Sequence, residues 1–282
     1  MPFVKSSTTE LDSKPLAETA VREIRSSLPT QVHKYGWGSR LRSYLFFDPL
    51  IWFYTLVLGI VSIPVSLLGE KTRILHNFAR FWSQLIMKTI LSPVEVTGLD
   101  KIDVSKPLVY AVNHASALDI PLLYVYLPFQ FRIAFKSELL AYPIVGWHLK
   151  RSGQICIDQQ NPSRSIGSIR SALKSLKSGM PLVIFPEGGR TPDGEIKPFM
   201  AGAFFLAIKS QVDVVPVALV GTYDLLPMNT YHIKCRPLEM RVGEPISTEG
   251  MTLRDMDGLS AKVQKAMEEL YYAPADNPAV IT

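Results

Sequence analysis

The sequence predicts an α/β fold: a mixed, mostly parallel sheet of about seven strands with surrounding helices, preceded by an N-terminal two-helix, membrane-seated element. Two observations support it. Short apolar runs alternate with helix-like stretches from residue 93 onward, and a long uncharged run followed by an amphipathic run comes before that point. The expected strands are Val94–Val96, Leu108–Val112, Ile133–Phe135, Gly153–Ile157, Leu182–Phe185, Val214–Val220 and Glu239–Val242.

The clearest helix lies between the fourth and fifth expected strands. We expect Asn161 to cap it, Pro162 to begin it and Gly179 to end it. Its buried stripe is Ile166, Ile169, Leu173 and Leu176. Further helices are expected at Leu118–Tyr126, Ala201–Lys209 and Leu259–Tyr271.

The two N-terminal runs differ in pattern. Pro49–Gly69 carries no charge and is long enough to cross or re-enter a hydrocarbon core of about 30 Å. Arg73–Leu91 is amphipathic, which predicts a helix lying in the headgroup zone; packing of its apolar face on the protein core is the alternative. The chain therefore divides into a polar arm at 1–42, a membrane-associated two-helix element at 43–92 and an α/β domain at 93–282.

Composition narrows the classes of ligand. The chain has 282 residues, 47% of them apolar, a mean hydropathy of +0.15 and a net charge of +5. This basic excess suits anionic lipids or anionic small molecules, and the lack of a basic-aromatic repeat argues against nucleic acid. Cys156 and Cys235 have no partner at metal-ligand spacing, so we expect buried thiols and no metal site.

The most informative stretch is Asn113–Asp119, which lies between two apolar runs. On one continuous helix, His114 and Asp119 would point about 140° apart. If His114 stays on a loop and Asp119 enters the first helical turn, the carboxylate can reach one imidazole nitrogen and leave the other to accept a proton. Ser116 or Asn113 is expected to cap that helix. Ordinary loop and cap roles for His114 and Asp119 are the alternative.

A second polar group, Phe185–Arg190, follows the fifth expected strand. Gly188 and Gly189 let backbone amides approach an anion, and Arg190 offers a planar guanidinium for bidentate phosphate binding. Glu187 suits hydroxyl groups, so the set predicts a polyol phosphate ligand. An ordinary glycine turn with a surface ion pair is the alternative.

Together these stretches resemble the glycerolipid acyltransferases. Asn113–Asp119 is similar to their NHxxxxD motif and Phe185–Arg190 to their FPEGxR motif. Lys136–Leu139 resembles their KxEL block, and Val214–Ala218 resembles their terminal apolar-proline motif. The four blocks follow the family order over residues 95–245. The pattern is nearest to the 1-acylglycerol-3-phosphate acyltransferases, also called lysophosphatidic acid acyltransferases.

The resemblance implies an enzyme at the cytoplasmic face of a membrane. It would move a fatty acyl group from acyl-CoA or acyl-carrier protein to the sn-2 hydroxyl of lysophosphatidic acid, giving phosphatidic acid for phospholipid biosynthesis, with no further cofactor. His114 would be the catalytic base and Asp119 its orienting acid. The substrate-binding residues that the resemblance implies are Glu187, Gly188, Gly189, Arg190 and Lys136.

Two positions depart from the family pattern. Gln159 follows Asp158 where the family often has Arg, and Gly189 stands where Thr or Ser is common. Both changes leave the acceptor headgroup open. Three alternatives therefore stand: another acceptor such as glycerol-3-phosphate or a different lysophospholipid, hydrolysis with His114 activating water, and a non-catalytic lipid-binding protein.

Overall fold

The computed structural model describes residues 36–65, 67, 71–158 and 161–274, so most of the arm expected at 1–42 and position 159 lie outside the described residues. Within them, seven strands form one sheet, as predicted. The strands are β1 Val94–Thr97, β2 Val109–Val112, β3 Arg132–Lys136, β4 Ile155–Ile157, β5 Leu182–Ile184, β6 Val214–Val220 and β7 Leu238–Val242.

The sheet has the order β1-β7-β6-β2-β5-β3-β4, and neighbouring strands are parallel except β6 and β7. Strand β2 shows why an unbroken apolar run forms its centre. Val109 and Ala111 pack into one hydrophobic cluster, whereas Tyr110 and Val112 pack into the other. Because both faces of a parallel sheet are covered, both sets of alternating side chains must be apolar.

Helices cover the two faces. They are α1 Trp37–Val65, α2 Lys71–Ile90, α3 Asp119–Tyr126, α4 Pro143–Arg151, α5 Ile166–Lys177, α6 Phe205–Ser210, α7 Thr222–Leu225 and α8 Met256–Tyr272. A 3-10 turn precedes α5, and the Asn161 side chain makes no capping hydrogen bond. The predicted cap is therefore wrong: Asp158 Oδ1 instead accepts the Asn161 N–H at 2.8 Å and shapes the turn before the helix.

Helix α1 is the exposed member of the N-terminal pair. It is long and apolar enough to cross a membrane, and only 11% of its most apolar window is buried. Trp52 is 63% exposed, and Phe53 and Leu56 are exposed beside it. The helix begins at Trp37, before the uncharged run, and passes through a π-helical stretch at Ser43–Phe47.

Helix α2 packs on the α/β domain. Leu75, Ile86 and Ile90 are fully buried, and Ile86 and Ile90 join the cluster that contains the buried side of α3. The prediction that the apolar face of α2 lies in the headgroup zone is wrong. This face packs on the protein core instead, as the alternative prediction had it, because α3 covers it. Phe81, on the side of α2 away from that cluster, remains exposed.

Candidate active site

The strand order brings the predicted site residues to one edge of the sheet. Strands β2, β5 and β3 are parallel neighbours, so their carboxyl ends meet at the same edge. His114 follows β2, Glu187 follows β5, and Lys136 is the last residue of β3. Segments that are far apart in the sequence therefore become neighbours.

His114 and Asp119 form the expected contact. Asp119 is the first residue of α3, and its Oδ2 lies 2.8 Å from His114 Nδ1. The same oxygen accepts the backbone N–H groups of Ala115 and Ser116, each at 2.8 Å. Asp119 is fully buried, while 16% of the His114 side chain is exposed. A carboxylate at Nδ1 assigns the proton to that nitrogen and leaves Nε2 to accept another.

The Phe185–Arg190 turn holds the loop that carries His114. Glu187 Oε1 accepts the His114 backbone N–H at 2.9 Å, and the Thr191 N–H donates to the His114 carbonyl at 2.8 Å. The Phe185 ring stacks on the imidazole with the centroids 4.2 Å apart. Both the backbone and the ring of His114 are therefore positioned by the neighbouring strand end.

Glu187 is the buried acid of this turn. Only 5% of it is exposed, and its second oxygen accepts the Lys197 backbone N–H at 3.3 Å. Burial raises the pKa of Glu187 to about 7, although the two backbone hydrogen bonds and the Lys197 ammonium act in the opposite direction. The sequence indicated a hydroxyl acceptor here; this bracing of the His114 loop was not foreseen, because it joins groups from two distant strand ends.

Three cationic side chains surround the glycine turn. An ideal Cβ on Gly189 would lie 3.2 Å from Lys136 Nζ, so the ammonium lies directly over this glycine. Lys197 Nζ donates to the Gly189 carbonyl at 3.0 Å. The half-buried Arg190 guanidinium forms no ion pair or hydrogen bond with the part of the chain that the structure describes. Gly188 adopts a φ of +71°, which favours glycine.

Asn113 and Ser116 join the loop before α3 to a distant part of the chain. The Asn113 amide exchanges two hydrogen bonds with the backbone of Leu219 at the end of β6. The Ser116 hydroxyl donates to the Leu226 carbonyl at 2.9 Å. The Ser116 hydroxyl also accepts the Leu118 N–H at 3.3 Å, and Asp119 Oδ2 accepts the Ser116 N–H at 2.8 Å, so Ser116 makes the predicted capping contact at the start of α3. Asn113 does not cap the helix. Sequence spacing could not reveal the bonds to Leu219 and Leu226, because these residues belong to a distant part of the chain.

An apolar cavity of about 220 Å³ adjoins this edge of the sheet. Among its walls, Ile120 directly follows Asp119, and Phe135 directly precedes Lys136. Helix α1 closes one side, where Gly59 packs against Ile144 of α4 with no room for a Cβ. The site therefore combines a base, a cationic turn and an apolar chamber.

Comparison with known proteins identifies a family that part of the chain matches. Residues 93–220 match the family model described as Acyltransferase. The matched part of the chain contains His114, Lys136 and Arg190 and is similar to this family over 128 of the 282 residues.

Individual proteins similar to this chain have more specific names than the family model. The chain is 31% identical over 177 residues to a chloroplastic 1-acyl-sn-glycerol-3-phosphate acyltransferase of Arabidopsis thaliana, covering 62% of this chain and 49% of that protein. It thus spans about half the length of the plant relative. It is 28% identical to the 1-acyl-sn-glycerol-3-phosphate acyltransferase of Saccharomyces cerevisiae over 79% of this chain and 75% of the yeast protein.

The fold is shared with a solved structure. The crystal structure of the 1-acyl-sn-glycerophosphate (LPA) acyltransferase from Thermotoga maritima superposes with a TM-score of 0.69 at 23% identity. The match covers 82% of this chain and 96% of that one. At this identity, the likeness establishes the α/β architecture.

Proposed function

We propose that this chain transfers a fatty acyl group to the sn-2 hydroxyl of lysophosphatidic acid and produces phosphatidic acid. One observation carries the proposal: a His114–Asp119 pair, with Nδ1 and Oδ2 2.8 Å apart, lies beside a cationic glycine turn within the part of the chain that matches the acyltransferase family model. The names of the Arabidopsis and yeast relatives support the same acceptor.

The reaction needs a base and no protein nucleophile, because a thioester is already activated. His114 Nε2 accepts the hydroxyl proton as the acceptor oxygen attacks the thioester carbonyl. An ester C–O bond forms, the C–S bond breaks, and the imidazolium gives its proton to the departing thiolate. Asp119 orients the ring and stabilises its charged form, as the acid of a catalytic triad does.

The acceptor phosphate would bind at the Phe185–Arg190 turn. Arg190 provides a guanidinium that no described residue engages, and Lys136 places an ammonium over Gly189. Bidentate Arg–phosphate binding is strong and directional, whereas a Lys ammonium acts as a point charge. Gly188 keeps the turn open to the phosphate, while Glu187 holds the base loop and borders the glycerol.

The acyl chain would enter the apolar cavity next to Ile120 and Phe135. Its walls offer side chains such as Leu58 and Trp82 and few polar groups, which suits a hydrocarbon chain. The acyl donor is acyl-CoA or acyl-carrier protein, and the chemistry described here requires no additional cofactor.

We propose that α1 lies in the membrane, because its exposed apolar surface would otherwise face water. The α/β domain would lie on the cytoplasmic side, as the family resemblance implies. Replacing Trp52, Phe53 and Leu56 by Gln should release the protein from isolated membranes. Lys262→Gln on α8, also exposed, is the matched control and should leave the protein bound. A triple variant that sediments with membranes as the natural chain does would contradict this placement.

A direct assay tests the reaction. Purified full chain receives acyl-CoA with lysophosphatidic acid, with glycerol-3-phosphate, with lysophosphatidylcholine or with no acceptor, and released CoA is measured. Release that depends on lysophosphatidic acid is the expected result. Release only with another acceptor would show that this other acceptor is the substrate. Release without any acceptor would indicate hydrolysis, and no release in any arm would indicate a protein that binds lipid without catalysis.

A further inference from the structure

A loop at residues 191–200 returns over the Phe185–Arg190 turn; we call it the return loop. The Lys197 N–H of this loop donates to Glu187 Oε2 at 3.3 Å, and the other oxygen of Glu187 accepts the His114 N–H at 2.9 Å. Lys197 belongs to none of the four sequence blocks that resemble family motifs. Only the path of the return loop therefore brings it to the candidate active site.

The Lys197 ammonium binds two carbonyl groups of the turn. Its Nζ donates to the Gly189 carbonyl at 3.0 Å and to the Arg190 carbonyl at 3.5 Å. Because the N–H and the C=O of a planar trans peptide point in opposite directions, the N–H groups of Arg190 and Thr191 point away from the ammonium. The Thr191 N–H agrees with this direction, since it donates to the His114 carbonyl at 2.8 Å.

The Arg190 N–H is the donor that this arrangement leaves open. Among the residues that the structure describes, no oxygen accepts it. The carbonyl of the same peptide, that of Gly189, is bound to a cation, which polarises the peptide and strengthens its N–H as a donor. The Arg190 guanidinium also has no described partner. One residue therefore offers an anion both a backbone donor and a side-chain donor group.

Two tyrosines hold the return loop from the helices behind it. The Tyr223 hydroxyl of α7 donates to the Pro192 carbonyl at 2.9 Å, and the Tyr271 hydroxyl of α8 donates to the Gly194 carbonyl at 2.7 Å. These bonds fix the backbone that leads to Lys197 without any contribution from substrate. Donors that are ordered in advance bind a ligand more tightly, because less freedom is lost on binding.

We propose that Lys197 is a positioning residue that sets the specificity for the acceptor headgroup. By binding the Gly189 and Arg190 carbonyls, it directs the Arg190 N–H to the acceptor phosphate, which the Arg190 guanidinium binds at the same time. Lys197 acts through the turn, since two of the three ammonium donors are already used. This inference rests on the proposed binding of lysophosphatidic acid at this turn.

The donor set matches one class of headgroup. Two N–H groups of the Arg190 guanidinium and the Arg190 backbone N–H together make three donors. A phosphate monoester presents three terminal oxygens to such a set, whereas a phosphate diester such as lysophosphatidylcholine presents two. A turn that Lys197 holds in this form therefore selects monoesters over diesters.

Nuclear magnetic resonance on the full chain in non-ionic detergent tests the positioning role without turnover. The arginines are labelled with heavy nitrogen, and the Arg190 amide is the signal that Arg190→Gln lacks. Lysophosphatidic acid, added without an acyl donor, should move this signal downfield in the natural chain. Lys197→Met should remove most of that movement, while Lys209→Met, an exposed control on α6, should retain it.

Steady-state kinetics separate positioning from a merely structural role. Lys197→Met should raise the KM for lysophosphatidic acid by about tenfold, the loss expected for a charged hydrogen bond, with little change in kcat or in the KM for acyl-CoA. Its preference for lysophosphatidic acid over lysophosphatidylcholine should fall. Lys197→Arg, which keeps a cation and its donors, should recover most of the acceptor affinity. If Lys197→Met does not fold, Lys197→Gln carries the same comparisons.

Two results would overturn the positioning role. One is an Arg190 amide that ignores lysophosphatidic acid or responds to it equally in Lys197→Met. The other is a fall in kcat with an unchanged acceptor KM, because Lys197 would then act on the His114 loop. An amide that responds as expected in a chain that transfers no acyl group would refute the proposed reaction and support the positioning role.

Discussion

The two strand-end segments of the candidate site are built differently. The loop after β2 forms its acid–base pair through local contacts: Asp119 Oδ2 binds the His114 ring and two backbone amides within five residues of itself. The turn after β5 acts over a distance, because Glu187 and Thr191 grip the backbone of His114 from the neighbouring strand. We infer that the first segment performs proton transfer and that the second fixes its position and binds the anionic substrate.

The largest expected effect comes from the base. His114→Ala should lower kcat by about 10²–10⁴-fold, because it removes the proton acceptor, while the fold should survive because Glu187 and Thr191 hold this loop through the backbone of residue 114, which alanine keeps. Steady-state kinetics with lysophosphatidic acid and acyl-CoA measure the first quantity. Near-normal turnover would show that His114 is not the catalytic base. It would also contradict the inference that the loop after β2 performs proton transfer.

The next effect concerns the phosphate ligand. Arg190→Gln should raise the KM for lysophosphatidic acid by about 10–100-fold, the loss expected for a charged hydrogen bond, and should leave the KM for acyl-CoA nearly unchanged. Arg170→Gln on the exposed side of α5 is the matched control. A fall in kcat with an unchanged acceptor KM would move Arg190 from binding to the chemistry.

The third effect concerns stability and pH. The pKa of Glu187 rises from 4.5 to about 7 on folding, so the stability that its protonated form contributes is complete below pH 4.5 and is lost as the pH rises to 7. The loss amounts to about 3 kcal/mol. The free energy of unfolding, measured with denaturant at pH 5 and pH 8, should show this fall in the natural chain and a smaller fall in Glu187→Gln. An equal fall in both proteins would contradict the raised pKa of Glu187.

The smallest effect is expected at Gly189. Gly189→Ser adds a Cβ 3.2 Å from Lys136 Nζ, and the flexible end of the lysine can move aside, so the acceptor KM should change by about twofold at most. Gly188→Ser, by contrast, meets a φ of +71° and should be the more damaging member of the pair. Equal effects at both positions would show that backbone conformation does not matter in this turn.

Much of the architecture followed from local patterns. The seven strands were predicted within one or two residues of their ends, because apolar runs of this length in alternation with helices permit few other structures. The contact of His114 with Asp119 was also predictable. Both residues belong to one short segment, and the change from loop to helix within it can be recognised from the sequence. The Ser116 cap was predictable for the same reason. The Asn161 cap was not, because the turn before α5 is shaped by Asp158, which accepts the Asn161 N–H, and the Asn161 side chain makes no capping bond.

The sequence by itself therefore determined the strands, the acid–base pair and the chemical character of the glycine turn, all of which depend on neighbours in the chain. Tertiary structure alone decided that β2, β5 and β3 lie side by side, that Glu187 braces His114, that Lys136 covers Gly189, and that α2 turns its apolar face inward. These features depend on strand order and helix packing, which arise from contacts between residues far apart in sequence and leave no periodic signal in it.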